Sequence, residues 1–162
     1  PESSVTHTAK ALTTSSGILV LGVNNIATVM AKCCKPAPPE AIVGFVTTSR
    51  GVMVHRADCS NILRLDDERR ERMMPADWGR NVAGPFAVDI AVDADDRSGL
   101  LRDISDAMAR EHLNVTAANT RTRGAHVTMM FTVEIVDLAK LQMVLQSVRN
   151  VAGVVRASRK RT

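Results

Sequence analysis

Aromatic residues are almost absent from this sequence: its 162 residues include no tyrosine, one tryptophan and three phenylalanines. Hydrophobic residues nevertheless make up 45% of the chain, so a core can form from Val, Leu, Ile, Met and Ala. Proteins that bind single-stranded nucleic acid without sequence preference stack the bases on aromatic side chains. The composition therefore nearly excludes a base-stacking platform.

Cysteine is also scarce, with three residues, and no apolar run is long enough to span a membrane. An odd cysteine count without a secretory signal argues against a disulfide-stapled secreted protein. We therefore predict a cytoplasmic protein with no membrane partner.

The charge balance is mildly basic, with a net charge of +4 and a pI near 9.4. Such a surface is compatible with a polyanionic partner but does not prove one. Residues 1–21 begin with Pro1 and are rich in Ser and Thr, which predicts a flexible linker in a fragment of a longer protein.

Residues 22–80 are predicted to form a small α+β module. The apolar spacing of NNIATVMAKCC predicts a helix that opens after Asn24 or Asn25. AIVGFVTT and GVMVH predict the two strands of a hairpin. ADCSNILRL predicts a brief helix capped by Asp58, RLDDERRERM a solvated connection and MPADWG a short strand. A module this small commonly needs a metal or a neighbouring domain.

Residues 84–160 carry a clearer pattern. Alternating strands and amphipathic helices follow each other as β-α-β-β-α-β, and one helical face is predicted to carry Leu100, Leu101, Ile104, Ala107 and Met108. That order is typical of the ferredoxin-like arrangement, in which two helices cover one face of a four-stranded antiparallel sheet. The fold class is therefore α+β, with a small cysteine-containing module followed by a ferredoxin-like domain.

The candidate metal ligands are Cys33, Cys34, His55 and Cys59, in the pattern C-C-x20-H-x3-C. Three thiolates and one imidazole suit tetrahedral zinc. Two other interpretations stay open. In one, Cys33 packs inward while the other three residues lie together at a polar surface. In the other, a thiol is reactive because its neighbourhood is basic. No carboxylate and second histidine complete a hydrolytic triad, so no catalytic residue is predicted.

Two segments resemble a known family. CCKPAPPEAIVGFVTTSRGVMVHRADC resembles the conserved-cysteine module, also called the zinc-finger or ribosome-intersubunit domain, of the RelA/SpoT alarmone synthetases. DRSGLLRDISDAMAREHLNV is similar to the ACT domain that ends those proteins. The double match covers about Gly22 to Arg159 and leans towards the RelA type. The family usually has Pro-Gly-Asp where this chain has Pro38, Pro39 and Glu40.

The resemblance implies a non-catalytic regulatory region of the stringent response. Family members make (p)ppGpp from ATP and GTP or GDP in N-terminal synthetase domains, beside which hydrolase domains occur, and their C-terminal modules sense the ribosome. Docking on large-subunit ribosomal RNA near the tRNA would use backbone shape and phosphates. The candidate RNA-binding residues are Lys32, Lys35, Arg50, His55 and Arg56, for which ordinary solvated cations are the alternative.

The ACT resemblance implies a second role. In many ACT domains a small amino acid binds between two copies, held by the turn after the first strand and the start of the second. A glycine there lets the backbone approach the ligand. The matching positions are Asp95, Asp96, Arg97, Ser98, Gly99, Leu100, Asn114, Val115 and Asn119. The alternative functions are thus a homodimer that senses a branched-chain amino acid and regulates the catalytic domains, or a dimerisation module.

Overall fold

The computed structural model describes residues 17–23, 26–80, 82 and 84–160. These residues divide into two compact units, one ending at residue 83 and the other starting at Gly84. Each unit has its own sheet and its own buried residues, so the α+β class predicted from the sequence is confirmed.

The first unit is a five-stranded sheet in the order β1-β5-β3-β4-β2. Its strands are β1 (Ile18–Val20), β2 (Thr28–Met30), β3 (Ile42–Val46), β4 (Val52–Arg56) and β5 (Met73–Trp78). Strand β2 runs parallel to β4, and the other pairs are antiparallel. Two short helices, α1 (Ser60–Leu63) and α2 (Asp67–Arg70), lie between β4 and β5 in the chain.

Two clusters of buried residues hold this unit together, because successive strand residues point to opposite faces of the sheet. One cluster contains Ile18, Val20, Ile42, Val52, Val54 and Ala76. The other contains Ala31, Cys34, Cys59 and Ile62, with Val43 and Met53 packed against it. The cysteines therefore belong to a hydrophobic cluster of the sheet.

The helix predicted after Asn24 or Asn25 is wrong. The chain forms β2 instead, which pairs with β4 from Thr28↔Val52 onwards, and the two proposed caps lie outside the described residues. Thr and Val are β-branched and suit a strand, and pairing with a neighbouring strand outweighs the helical spacing.

Two further predictions in this unit need correction. The predicted linker, residues 1–21, includes β1, because Ile18 and Val20 are buried and pair with β5. The cap of α1 is Cys59, and Asp58 instead binds Arg56. The hairpin of β3 and β4, the brief helix and the strand near Trp78 are as predicted. The charge run contains α2, whose residues are all exposed.

The second unit confirms the predicted β-α-β-β-α-β string. Its elements are β6 (Phe86–Asp95), α3 (Leu100–Arg110), β7 (Asn114–Arg123), β8 (His126–Ile135), α4 (Leu138–Arg149) and β9 (Val154–Arg159). The sheet is antiparallel, in the order β7-β8-β6-β9.

One face of this sheet forms the core with the helices. Strands β6 and β8 bury alternate residues, and α4 buries Leu141, Val144, Leu145 and Val148. Helix α3 buries four of the five predicted residues, but Leu101 is 49% exposed because it lies off the buried stripe. Strand β7 is an edge strand, and all ten of its residues are exposed.

Candidate metal centre

Strand pairing brings the four candidate ligands together. Met30 of β2 is opposite Val54 of β4, and the N–H of Ala31 donates to the carbonyl of Val54 at 2.9 Å. The turn after β2, which carries Cys33 and Cys34, therefore lies beside His55 at the end of β4. The next turn of the chain brings Cys59 to the start of α1.

The distances within the cluster fit a tetrahedral ion. The Cys33 sulfur lies 3.7 Å from the Cys59 sulfur and 3.4 Å from His55 Nδ1, which is 3.8 Å from the Cys34 sulfur. All four ligand atoms lie within 4.8 Å of one another. Tetrahedral zinc with Zn–S of about 2.3 Å and Zn–N of about 2.0 Å needs edges of about 3.5–3.8 Å. The donor set and its spacing therefore fit zinc.

The cluster is largely shielded from water. His55 is 8% exposed, Cys34 5% and Cys59 0%, while Cys33 is half-buried. The interpretation in which Cys33 packs inward and the others lie at a polar surface is therefore wrong. Cys33 is the most exposed of the four residues, and the other three are buried.

Burial and hydrogen bonds shift the pKa values of Cys34 and Cys59 in opposite directions. Burial raises the pKa of Cys34 to about 12. Burial also acts on Cys59, but its pKa is lowered overall because the N–H groups of Asn61 and Ile62 and the neighbouring thiols stabilise the thiolate. Burial lowers the pKa of His55 and so favours the neutral imidazole. A neutral imidazole is the form that ligates metal, and metal binding would displace the thiol protons.

Arg56 joins the two segments that carry the cysteines. Its backbone N–H donates to the Cys34 sulfur at 3.2 Å. Its guanidinium makes two hydrogen bonds of 2.9 Å to Asp58 and lies 3.4 Å from Glu40. Glu40 Oε1 in turn accepts from the N–H of Ala37 at 3.0 Å. The turn that lacks the family's glycine is therefore held by a carboxylate.

The sequence did not point to this ion-pair group, although Arg56 and Asp58 are two residues apart. Arg56 was predicted to bind RNA, and Glu40 was noted only as a departure from the family pattern. The two-residue spacing of Arg56 and Asp58 is the sequence signal that could have indicated this ion pair.

The candidate RNA-binding residues separate into two groups. Lys32 and Arg50 are exposed and Lys35 is half-buried. His55 and Arg56 are buried, at 8% and 6% exposure, so they cannot offer a surface for phosphates. Lys32 and Lys35 flank the cysteine pair, whereas Arg50 lies in the hairpin turn at the far end of β4.

The candidate amino-acid site is divided between the two ends of the sheet. Asp95 pairs with His126 at one end of β8, while Asn114 pairs with Glu134 at the other. A ten-residue strand separates such ends by about 30 Å. One copy therefore brings together the turn residues, Asp95 to Leu100, but not Asn114 and Val115.

The turn itself is well ordered by internal contacts. Gly99 has φ +78° and caps α3. Arg97 donates to the carbonyl of Ala152 and to Asp103, each at 2.8 Å, and this guanidinium lowers the pKa of the Asp103 carboxyl. The guanidinium of Arg97 is thus already engaged by its own chain.

Among the described residues, every helix is too short or too polar to cross a bilayer.

Both units match known families. Residues 18–79 match the RelA/SpoT RIS domain, and residues 83–159 match the ACT domain. The crystal structure of the ACT domain from the GTP pyrophosphokinase of Chlorobium tepidum covers 48% of this chain and 100% of its own, with 18% identity and a TM-score of 0.44.

Curated relatives extend across both units. The GTP pyrophosphokinase of Escherichia coli K12 is 40% identical over 144 residues, which are 88% of this chain and 19% of that protein. The bifunctional (p)ppGpp synthase/hydrolase RelA of Mycobacterium tuberculosis is 41% identical over 139 residues, 85% of this chain and 19% of that protein. The chain thus spans about a fifth of the length of these relatives, and the matched region is C-terminal. It belongs to the RelA/SpoT family, as a C-terminal regulatory region made of a RIS domain and an ACT domain.

Proposed function

We propose that this chain docks on ribosomal RNA and that its RIS domain is held in shape by a structural zinc ion. The observation that carries the proposal is the four-ligand cluster, whose atoms lie within 4.8 Å of one another beside Lys32 and Lys35. A structural ion at Cys33, Cys34, His55 and Cys59 would fix the turn that presents these two lysines to phosphates. The closed ligand set leaves no position for a substrate, as in structural rather than catalytic zinc sites.

The regulated partner in this proposal is the catalytic region of the longer protein. The relatives are named GTP pyrophosphokinase and (p)ppGpp synthase/hydrolase. We infer that docking of the two domains on a stalled ribosome, close to the tRNA, controls alarmone synthesis in an N-terminal synthetase, in the cytoplasm.

The zinc part is tested by elemental analysis of the purified chain. We expect about one zinc per chain, and much less in the variant Cys33→Ser/Cys34→Ser. A wild-type chain that purifies without metal and does not take up zinc would refute the structural ion.

The RNA part is tested with variants in which glutamine replaces positively charged residues. We expect Lys32→Gln/Lys35→Gln to weaken binding to ribosomal RNA and to lower the slope of log K against log salt by about two. Arg64→Gln/Arg69→Gln is the matched control, because it removes two exposed charges from the same unit. Equal effects of the two variants would contradict a specific surface at the cysteine turn.

A second candidate function, supported by β7, is a homodimer that senses a branched-chain amino acid. The strand is an edge with ten exposed residues, and antiparallel pairing with a second β7 would bring its Asn114 end near the Asp95 turn of the first copy. We expect valine or isoleucine to raise the unfolding temperature more at high chain concentration than at low, with D-valine as control. A flat response at every concentration would contradict this function.

A further inference from the structure

The three thiols of the cysteine cluster differ in how accessible they are. Cys33 is half-buried, whereas Cys34 is 5% exposed and Cys59 0%. Cys33 also lies in the turn after β2, so its sulfur is the first that a small solute meets. Cysteines that respond to oxidants are accessible and often have a second, resolving thiol beside them. Cys33 meets the first of these two conditions.

Cys59 supplies the resolving thiol. Its sulfur lies 3.7 Å from the sulfur of Cys33, and the sulfurs of a disulfide lie about 2.0 Å apart. Bond formation therefore brings the two sulfurs together by about 1.7 Å. A half-buried side chain in a turn has more room to move than one that is fully buried, so Cys33 can supply this approach.

Cys34 is a poorer partner for either thiol. The Cα atoms of neighbouring residues are about 3.8 Å apart, less than the roughly 4.4–6.8 Å usual across a disulfide, so a bond between Cys33 and Cys34 is strained. A bond between Cys34 and Cys59 would require an oxidant to reach a buried thiol first. The Cys34 sulfur also accepts from the N–H of Arg56 at 3.2 Å, which ties it to the end of β4.

We propose that Cys33 and Cys59 are a site of reversible oxidation, at which a hydroperoxide forms one disulfide within the metal-free chain. In the first step the Cys33 sulfur attacks hydrogen peroxide, an S–O bond forms and the O–O bond breaks. The thiol proton leaves with the released hydroxide as water, and His55 Nδ1, 3.4 Å from the sulfur, can relay it. In the second step the Cys59 sulfur displaces the hydroxyl group of this sulfenic acid, and a second water leaves.

The two steps balance as two thiols and one hydrogen peroxide giving one disulfide and two waters. The two sulfurs lose two electrons in total, and the two peroxide oxygens gain them. A dithiol reductant reverses the modification by thiol–disulfide exchange.

Oxidation and metal binding exclude each other at this site. The thiolate is the form of cysteine that ligates a metal, so a disulfide leaves only Cys34 and His55 of the four candidate ligands. A bound ion, in turn, engages both sulfurs and protects them. This exclusion rests on the zinc ion of the proposed function, whereas the disulfide itself rests on the distances and burial of the thiols.

The test uses the whole chain, freed of metal by a chelator and treated with hydrogen peroxide at low chain concentration. Free thiols are then blocked, and a tryptic digest is examined by mass spectrometry without reduction. Trypsin cleaves after Lys and Arg but not before Pro, so residues 33–50 hold both adjacent cysteines and residues 57–64 hold Cys59. We expect these two peptides to be joined through Cys33, with the blocking group on Cys34, and to separate after reduction.

Cys34→Ser is the matched control for Cys33→Ser, because each variant removes one of the two adjacent thiols. We expect the joined peptides to persist in Cys34→Ser and to be lost in Cys33→Ser. A bond at Cys34 in the wild-type chain, a bond between two chains, or sulfinic acid at Cys33 without joined peptides would overturn the proposal. These three outcomes are measured on the wild-type chain and do not depend on the folding of a variant.

Zinc uptake separates this inference from the proposed function. We expect the oxidised chain to lose zinc uptake until a reductant restores the thiols. If the reduced chain takes up no zinc but the joined peptides form, the structural ion fails and the oxidation site stands. If the reduced chain takes up zinc and no joined peptides form, the ion stands and the oxidation site is overturned. Equal zinc uptake by the oxidised and reduced chains would overturn the exclusion between disulfide and metal.

Discussion

At the scale of single residues, Arg56 links the two segments that carry the candidate zinc ligands. Its side chain is 7% exposed and one of its guanidinium nitrogens, Nη1, has no hydrogen-bond partner among the described residues. A buried charge of this kind is tolerated only when its other donors are paired. Arg56 therefore keeps Glu40 and Asp58, and with them the two cysteine segments, in one arrangement.

We expect Arg56→Met to lower zinc affinity about 10- to 100-fold, as changes beyond the ligands commonly do. The variant removes the guanidinium but keeps the backbone N–H that reaches Cys34. Competition with a chromophoric chelator measures the affinity. Arg56→Lys should recover only part of it, because an ammonium cannot make the two parallel bonds to Asp58.

The control for this experiment is Arg64→Met, a change at an exposed position of the same unit. If Arg56→Met lowers the unfolding temperature of the metal-free chain but leaves zinc affinity unchanged, the role of Arg56 is packing alone. That result would contradict the positioning role of Arg56.

His55 predicts a pH dependence of the metal-free chain. Its pKa is lowered from 6.5 by burial, so between the folded pKa and 6.5 the unfolded state binds more protons. The free energy of unfolding therefore rises with pH in that window. The contribution of His55 to it is lost as the pH falls from about 6.5 through the folded pKa. Denaturant titrations with chelator present measure the slope, which should flatten in His55→Gln. An unchanged slope in that variant would assign the effect to other groups.

At the scale of elements, the turn between β3 and β4 is tightly constrained at Gly51. Gly51 has φ +73°, and a Cβ there would lie 2.5 Å from the carbonyl oxygen of Ala27. That oxygen accepts from the N–H of Val52 at 3.0 Å. The hairpin turn and the entry to β2 are therefore packed against each other.

We expect Gly51→Ala to destabilise the chain by clearly more than Gly22→Ala. Both positions have positive φ, which costs an alanine about 1–2 kcal/mol, but a Cβ at Gly22 meets nothing within 4 Å. The difference between the two variants, measured by denaturant unfolding, isolates the clash with Ala27. Equal losses would mean that the turn relaxes and that β2 does not depend on it.

The elements that the sequence predicted well are those long enough to show a period. Strands β6 and β8 alternate over ten residues each, whereas β1 and β2 have three residues each. In β2 the pairing with β4 decides the structure, and no local pattern records it. Likewise, the sequence predicted four candidate ligands that the fold brings together. It did not predict the burial of His55 and Arg56, because that burial follows from contacts with segments that are distant in sequence or were not recognised as partners.

At the scale of the whole molecule, the two units have separate cores, and among the described residues the cluster of candidate metal ligands lies in the first. Metal binding to the folded state should therefore stabilise one sheet selectively. Zinc at about a hundred times its Kd stabilises a folded state by about 2.7 kcal/mol.

We expect chelation to accelerate amide exchange in β4 and α1 by up to about a hundredfold under these conditions. Strands β6 and β8 provide the internal reference, because their buried residues lie in the other unit. Hydrogen exchange followed by mass spectrometry of the zinc-loaded and chelated chains measures the difference. Equal acceleration in both sheets would contradict a selective effect.

The spacing of the four ligands also sets an order of events during synthesis. Cys33 lies 22 residues from His55 and 26 from Cys59, and a chain is made from its N-terminus at about 5–20 residues per second. The adjacent thiols of Cys33 and Cys34 therefore leave the ribosome one to several seconds before His55 and Cys59 do. Their exposure to oxidants is concentrated in that interval, and it ends when the β3–β4 hairpin closes and Cys59 seals the cluster.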